Sequence, residues 1–249
     1  MISIPITVYN KEQPNLFVSY QRTIDDLIRR PYNQKMHTKM LEEFRRIYAN
    51  DDSILVEIEL FEENYHMNNA IHWYTRNSFL WRTISQALRS NDIVMMYIFR
   101  PFLVDLYIQL DIIYQETYYF PRFSREDKFY RGQILSRTCF HSFQQSIGRI
   151  ISINTFFSTT TSCQIALAYV DSFPSNDECL PVIFSIENNG FLPNQRPYAD
   201  IFQFSNYPDE EEVLFAMGSI FRLQSIQDLD ATKSIPVIYL QMIDPSRIN

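Results

Sequence analysis

The chain has 249 residues, of which 46% are hydrophobic and 15% aromatic. This length suits one large domain or two small ones, and the apolar content excludes a disordered chain. The formal net charge of −7 excludes a general nucleic-acid-binding surface, because neutralising phosphates requires a basic face. We therefore expect a folded domain with no nucleic-acid partner.

The cysteines and apolar runs bear on where the protein resides. Cys139, Cys163 and Cys179 are odd in number, which weakly favours a reducing compartment, and no pair has zinc-site spacing. The chain start lacks the basic-then-apolar pattern of a signal peptide, and no apolar run is long enough for a transmembrane helix. We expect a cytoplasmic monomer with no membrane segment and no metal.

Glycine is unusually scarce. The four glycines are Gly132, Gly148, Gly190 and Gly218, and none precedes position 132. The glycine-rich dinucleotide fingerprint and the Walker phosphate loop are therefore both excluded, because each needs several closely spaced glycines. Any nucleotide site in this chain must be built in another way.

The first 118 residues are predicted to be mainly helical. Residues 1–32 show no clear pattern and are interpreted as an N-terminal arm, either extended or remaining from an upstream region. Residues 33–118 are interpreted as a helical lobe, because apolar residues recur at helical spacing, most clearly across residues 98–114. Pro101 is expected to start or kink a helix.

From residue 119 to 245 the pattern changes to short β-like runs. The predicted strands are Phe129 to Arg131, Thr155 to Thr160, Val182 to Glu187, Glu212 to Phe215, Ser219 to Leu223 and Pro236 to Met242. Two short helices are expected at about residues 136–147 and 162–169. The chain is thus predicted to be α+β, with the helical lobe first and a β-rich core after it.

Three short segments of the β-rich half carry candidate chemistry. The first is Phe129-Tyr130-Arg131-Gly132, in which an arginine ends a predicted strand. Arginine can hold a diphosphate through its forked donors and fixed charge, and the glycine would let a ligand approach the backbone closely. Alone, this segment is more typical of a strand that ends in a solvated arginine and a turn.

The other two segments supply hydroxyls and carboxylates. Phe156-Phe157-Ser158-Thr159-Thr160 alone is an ordinary predicted strand. Asp209-Glu210-Glu211-Glu212 alone is typical of a solvated acidic turn before an edge strand. In a strand, however, Glu210 and Glu212 point to the same side, and two carboxylates on one face suit charge stabilisation and proton transfer.

Taken in order, the three segments resemble the arginine-specific mono-ADP-ribosyltransferases, a group marked by an arginine, a Ser-Thr-Ser segment and a Glu-x-Glu pair. The matching residues are Arg131, Ser158-Thr159-Thr160 and Glu210-Glu211-Glu212, with Thr160 keeping a hydroxyl where the group has serine. The stretch from Phe204 to Leu214 resembles the equivalent loop of the vertebrate ecto-ADP-ribosyltransferases. The likeness extends over roughly residues 36–242 and includes the helical lobe.

This resemblance implies an α+β fold in which a helical lobe precedes a mixed β-sandwich core that binds NAD as co-substrate, without a metal. It implies that Arg131 grips the NAD phosphates or the adjoining ribose, and that the Gly132 backbone holds the nicotinamide carboxamide. Ser158 would orient Glu212. Glu212 would bind the ribose 2′-hydroxyl and stabilise a transition state that resembles an oxocarbenium ion.

The remaining implied roles concern the acceptor and the rest of the NAD site. Glu210 would orient the guanidinium of an exposed arginine on an acceptor protein, and Tyr207 would flank it. Tyr130 and Thr159 would contact NAD, and Phe173 would stack on nicotinamide.

Two other functions remain open at this point. An NAD glycohydrolase would use the same residues with water as acceptor. A non-catalytic NAD-binding interaction domain would keep the fold without the reaction. The poly-ADP-ribosylating group is discounted, because it has histidine where this chain has Arg131.

Overall fold

A computed structural model describes residues 6–10, 15–124, 126–171, 173, 176, 178–192, 194–228 and 235–245. The helices in these ranges are α1 (Asn15–Arg29), α2 (Gln34–Ile47), α3 (Asp52–Asn64), α4 (Ala70–Thr75), α5 (Phe79–Arg89), α6 (Ile93–Ile98), α7 (Arg100–Tyr119), α8 (Arg137–Gln145) and α9 (Cys163–Asp171). The strands are β1 (Ile6–Val8), β2 (Lys128–Ser136), β3 (Ile150–Ile153), β4 (Phe157–Thr160), β5 (Cys179–Glu187), β6 (Tyr198–Asp200), β7 (Glu212–Phe215), β8 (Ser219–Asp228) and β9 (Pro236–Met242).

Helices α1 to α7 pack around one apolar core. The fully buried Phe44 ring lies near its centre and stacks on Phe99 with ring centroids 4.8 Å apart. Pro101 lies in the first turn of α7, where a missing backbone N–H costs nothing, so it starts the helix and does not kink it. Among the described helices, none is long and apolar enough to cross a lipid bilayer.

The described part of residues 1–32 belongs to this packed unit. Strand β1 pairs with β3, and α1 buries Ile24 and Leu27 completely in the helical core. Asp25 on α1 forms an ion pair with Arg196 at 2.8 Å. Residues 1–5 and 11–14 lie outside the described residues. The domain boundaries after residues 32 and 118 stay predictions from the sequence.

The nine described strands form one mixed sheet in the order β1-β3-β8-β9-β5-β2-β4-β7-β6. Only β5 and β9 pair in parallel among them. The β2–β4 link consists of a single residue pair, Tyr130 with Thr160. Aromatic side chains from both sides of this link, including Phe129 and Phe215 at 5.7 Å, meet in one core. The predicted α+β class, with its helical lobe first, is confirmed.

Candidate active site

A cavity of about 550 Å³ lies between the helical lobe and the sheet. It lies where β2 and β4 diverge from their single pair, and α4, α5 and α9 supply the other walls. The loop before β7, residues 201–211, closes one side and is called the acidic loop below. The cavity thus brings together all three segments that the sequence marked as chemically interesting.

Arg131 is held in this cavity by its neighbours. Its Nη1 donates to the Ser158 backbone carbonyl at 2.6 Å, and its Nε donates to Gln133 Oε1 at 2.9 Å. The guanidinium carbon lies 5.2 Å from the centroid of the Phe157 ring. Burial lowers the pKa of Arg131, but the ordinary value for arginine is so high that the side chain stays cationic. The cavity therefore contains a positioned positive charge.

Glu212 is a nearly buried carboxylate in the same cavity, with 7% of its surface exposed. It is the first residue of β7 and pairs across the sheet with Thr160. Burial raises its pKa above the usual glutamate range, and the negative charge of Glu210 adds to this. Hydrogen bonds from Ser158 and Ser205 and the charge of Arg131 lower the pKa and so oppose that rise. Ser158 and Glu212 line the same cavity, and the role of Ser158 in orienting Glu212 stays a prediction.

The acidic loop places Glu210 at the cavity through a backbone conformation that the sequence did not predict. Residues Pro208–Glu210 form a single 3₁₀ turn, and Glu211 has left-handed backbone geometry with φ 47°. The strand begins only at Glu212, so the expectation that strand alternation places Glu210 and Glu212 on one side was wrong. Both nevertheless line the cavity, whereas Glu211 accepts a hydrogen bond from the Thr161 hydroxyl.

Gly132 lines the cavity from inside a strand, because β2 continues to Ser136 and does not end at Arg131. A side-chain carbon at this position would lie 2.1 Å from the backbone oxygen of Ala166 on α9. The packing of α9 by itself requires glycine here, and the interpretation that Gly132 lets a ligand approach the backbone stays a prediction. The missing side chain makes room for the helix that covers β2.

The other predicted residues differ in their placement. Tyr130, Ser158, Thr159 and Tyr207 line the cavity, and the Thr159 hydroxyl donates to the Val213 backbone oxygen at 2.7 Å. That bond holds β4 to β7. Phe173 is not among the described lining residues and lies past the end of α9. Tyr169, inside α9, lines the cavity instead.

The helical lobe contributes cavity residues to which the sequence interpretation gave no role. Trp81, Ser85 and Arg89 line the cavity from α5, and their spacing of four residues puts them on one helix face. The Arg89 guanidinium carbon lies 6.0 Å from the Trp81 ring centroid. Tyr74 of α4 is buried among them, and burial raises its pKa to about 12 although a hydrogen bond with Ser85 opposes that rise.

Comparisons with protein-family models and with curated sequences gave no match. Among solved structures, the chain is similar to the ADP-ribosyltransferase HopU1 of Pseudomonas syringae pv. Tomato DC3000, with a TM-score of 0.54 and 16% identity over 86% of this chain and 100% of that one. It is similar to the ADP-ribosyltransferase Vis of Vibrio splendidus, with a TM-score of 0.52 and 18% identity over 90% and 92% of the two chains. This chain has the ADP-ribosyltransferase fold.

The type III effector XopAI of Xanthomonas axonopodis pv. citri shares that fold, with a TM-score of 0.54 and 13% identity over 91% of this chain and 95% of that one. Identities this low bear on the fold alone. On the ADP-ribosyltransferase fold of this chain, one cavity is lined by three arginines, Arg76, Arg89 and Arg131, and by two glutamates, Glu210 and Glu212. Among the described residues, no group of three or more histidine, cysteine or acidic side chains could hold a metal ion.

Proposed function

We propose that this protein is an NAD-dependent mono-ADP-ribosyltransferase that modifies arginine side chains of acceptor proteins and releases nicotinamide. The observation that carries the proposal is the placement of Glu212, which is nearly buried in the same cavity as Arg131. A fixed carboxylate suits a cationic transition state, and a fixed guanidinium suits an anionic diphosphate. NAD brings both groups to one site.

NAD fits the cavity in both charge and size. Arg89 of α5 and Arg131 of β2 line it, and Arg76 lines it from the end of α4, so the cavity supplies positive charge for the two negative charges of the diphosphate. The volume of about 550 Å³ lies in the usual ligand-site range of roughly 300–1,000 Å³. The Gly132 backbone would hold the nicotinamide carboxamide. Tyr130, Thr159 and the exposed ring of Tyr169 would complete the walls around the nicotinamide end.

The adenine end of NAD is assigned to Trp81. Its indole is 38% exposed at the cavity and lies beside the Arg89 guanidinium. An aromatic side chain that is not covered by protein can stack on a base, and each such stack contributes about 1–3 kcal/mol. In this proposal a platform for the base and a charge for the phosphates would lie next to each other on one helix.

The reaction requires little chemistry from the protein. The bond between the nicotinamide nitrogen and ribose C1′ breaks, and its electron pair leaves with nicotinamide. The Glu212 carboxylate accepts a hydrogen bond from the ribose 2′-hydroxyl and stabilises the positive charge that develops on the sugar. Ser158 lies on β4, the neighbour of the strand that begins with Glu212, and would donate to Glu212 and fix its orientation. A guanidinium nitrogen of the acceptor then bonds to C1′ and loses a proton.

Arginine is the proposed acceptor because Glu210 and Tyr207 are exposed where they line the cavity. Glu210 is exposed on the 3₁₀ turn and lines the cavity near Glu212, where it can pair with a guanidinium and take its proton. Tyr207 is 46% exposed one turn earlier and can pack against the same cation. Water needs neither residue, so this pair favours transfer over hydrolysis.

In the test, NAD labelled in its adenylate half is incubated with the purified chain and an acceptor that contains arginine. Nicotinamide release and label on the acceptor are measured for the wild type, Glu212→Gln and the control Glu116→Gln, an exposed residue of α7. We expect both products from the wild type and the control, and neither from Glu212→Gln. Nicotinamide release without label would indicate a glycohydrolase. NAD binding without cleavage would indicate a non-catalytic domain.

A further inference from the structure

One asparagine ties the acidic loop to helix α4. The backbone N–H of Asn206 donates to Thr75 Oγ1 at 3.1 Å, and its Nδ2 donates to the same oxygen at 2.9 Å. Nδ2 also donates to the His72 backbone oxygen at 2.5 Å. The Thr75 hydroxyl in turn donates to the His72 oxygen at 3.2 Å, so this hydroxyl has one donor and two acceptor bonds in use.

The two ends of this contact lie next to different parts of the active site. On α4, Thr75 follows Tyr74, which is buried and lines the cavity together with Ser85 of α5 and Arg131. Helix α5 carries the residues assigned to the diphosphate and the adenine. The α4 end of the contact is therefore part of the wall that would hold NAD.

On the loop side, the neighbours of Asn206 contact the reacting groups. Ser205 Oγ donates to Glu212 Oε2 at 3.3 Å and accepts a hydrogen bond from the Tyr207 N–H at 3.1 Å. The turn with Glu210 follows directly after Tyr207. The attachment at Asn206 thus fixes the start of the segment that presents Tyr207 and Glu210 to an acceptor, and the hydrogen bonds from Thr161 to Glu211 hold its end.

We propose that Asn206 and Thr75 form a clamp that positions the acidic loop for the acceptor arginine, so that this pair sets how ADP-ribose is divided between arginine and water. This inference rests on the proposed transferase function. Asn206 and Thr75 are positioning residues, because they act through Glu210 and Tyr207.

The division of ADP-ribose between arginine and water follows from how the Glu210 and Glu212 carboxylates are each held. Glu212 is fixed by its pairing with Thr160 across β4 and β7 and by burial, so it keeps its place without the clamp. Glu210 is exposed on a turn outside any strand, so its position depends on how the loop is attached. A displacement of about 1 Å can lower the rate of a reaction that depends on precise alignment about a hundredfold. Water as acceptor needs no such alignment.

The experiment compares Thr75→Val, which removes the hydroxyl at nearly constant volume, with Thr75→Ser, which keeps it, and with Asn206→Ala. Nicotinamide release and transfer to a small guanidine, agmatine, are measured separately, with KM for NAD and for agmatine. Thermal unfolding checks that each variant folds. We expect the ratio of transfer to release to fall about tenfold in Thr75→Val and Asn206→Ala, mainly through transfer, and to stay near the wild-type value in Thr75→Ser.

Two results would overturn the clamp alone while the wild type remains an active transferase. One is an unchanged ratio of transfer to release in both Thr75→Val and Asn206→Ala. The other is the same loss of ratio in Thr75→Ser, since that variant keeps the bonded oxygen. A wild-type protein that transfers nothing to arginine or agmatine removes the proposed function, and the clamp's role fails with it.

Discussion

Ser205 Oγ donates a hydrogen bond to Glu212 Oε2 at 3.3 Å while accepting one from the Tyr207 backbone N–H. The acidic loop is thereby connected to the carboxylate that is proposed to stabilise the sugar cation. Because a donated hydrogen bond favours the ionised form of a carboxylate, the loop also influences when Glu212 is charged.

The first prediction concerns the pH dependence of NAD cleavage. Burial raises the pKa of Glu212, and the carboxylate must be ionised to act. Activity should therefore fall as pH drops through that raised pKa, at a higher pH than for an ordinary glutamate. Ser205→Ala removes a bond that lowers the pKa, so the acid limb should move to still higher pH.

The measurement is the pH profile of kcat for nicotinamide release. Ser142→Ala, on the exposed face of α8, is the matched control and should keep the wild-type profile. An acid limb that stays in place or moves to lower pH in Ser205→Ala would mean that this serine does not tune Glu212.

The second prediction concerns the helix that covers β2. Gly132→Ala should destabilise the fold by about 3 kcal/mol, because the added carbon meets the Ala166 backbone oxygen at 2.1 Å and α9 must move. Gly148→Ala is the control: its φ of +81° costs about 1–2 kcal/mol, but nothing lies within 4 Å of the added carbon. Urea unfolding should show the larger loss for Gly132→Ala, and equal losses would contradict this packing.

The third prediction concerns the diphosphate. Arg89→Ala should raise KM for NAD about tenfold or more, because a charge-assisted hydrogen bond to phosphate contributes about 1.5–3 kcal/mol. Arg82→Ala removes an exposed arginine of the same helix that does not line the described cavity. Steady-state kinetics should show no change in that control. Similar KM values for the two variants would show that Arg89 does not bind NAD.

The fourth prediction separates the two ends of the dinucleotide. Trp81→Ala should raise KM for NAD about tenfold, because a base stack contributes about 1–3 kcal/mol. Trp81→Phe should retain part of the stacking, so KM for NAD should rise less than in Trp81→Ala. Binding of nicotinamide mononucleotide, which lacks the adenosine half, should be unaffected in a competition assay. An equal loss for both ligands would place Trp81 at the nicotinamide end or in a purely structural role.

Local signals in the sequence predicted much of the fold. Pro101 starts α7 as expected, and Ser136 caps α8, which begins one residue after the predicted start. Strand β3 was missed because all four of its residues are buried, so the run Ile150–Ile153 shows no alternation between the two faces. Strand β6 has only three residues, too few for a pattern.

The site was partly predictable, because the order of its segments carries information that single segments do not. Arg131, Ser158 and Glu212 were singled out from sequence, but their meeting in one cavity depends on the single β2–β4 pair, a tertiary feature. The left-handed backbone of Glu211 interrupts the strand alternation that was expected to put Glu210 and Glu212 on one side. Trp81 and Arg89 share a helix face, a signal in the sequence that only the packing of α5 links to the site.

Glu210 and Glu212 are proposed to divide the reaction, with Glu212 stabilising the sugar cation and Glu210 orienting the acceptor arginine. The most direct measurement is mass spectrometry of a peptide containing arginine, lysine and serine after incubation with NAD, alongside nicotinamide release, for the wild type, Glu210→Gln and Glu212→Gln. We expect ADP-ribose on arginine alone with the wild type, nicotinamide release without peptide modification with Glu210→Gln, and neither with Glu212→Gln. Modification of another residue type, or full transfer to arginine by Glu210→Gln, would contradict this division of the reaction.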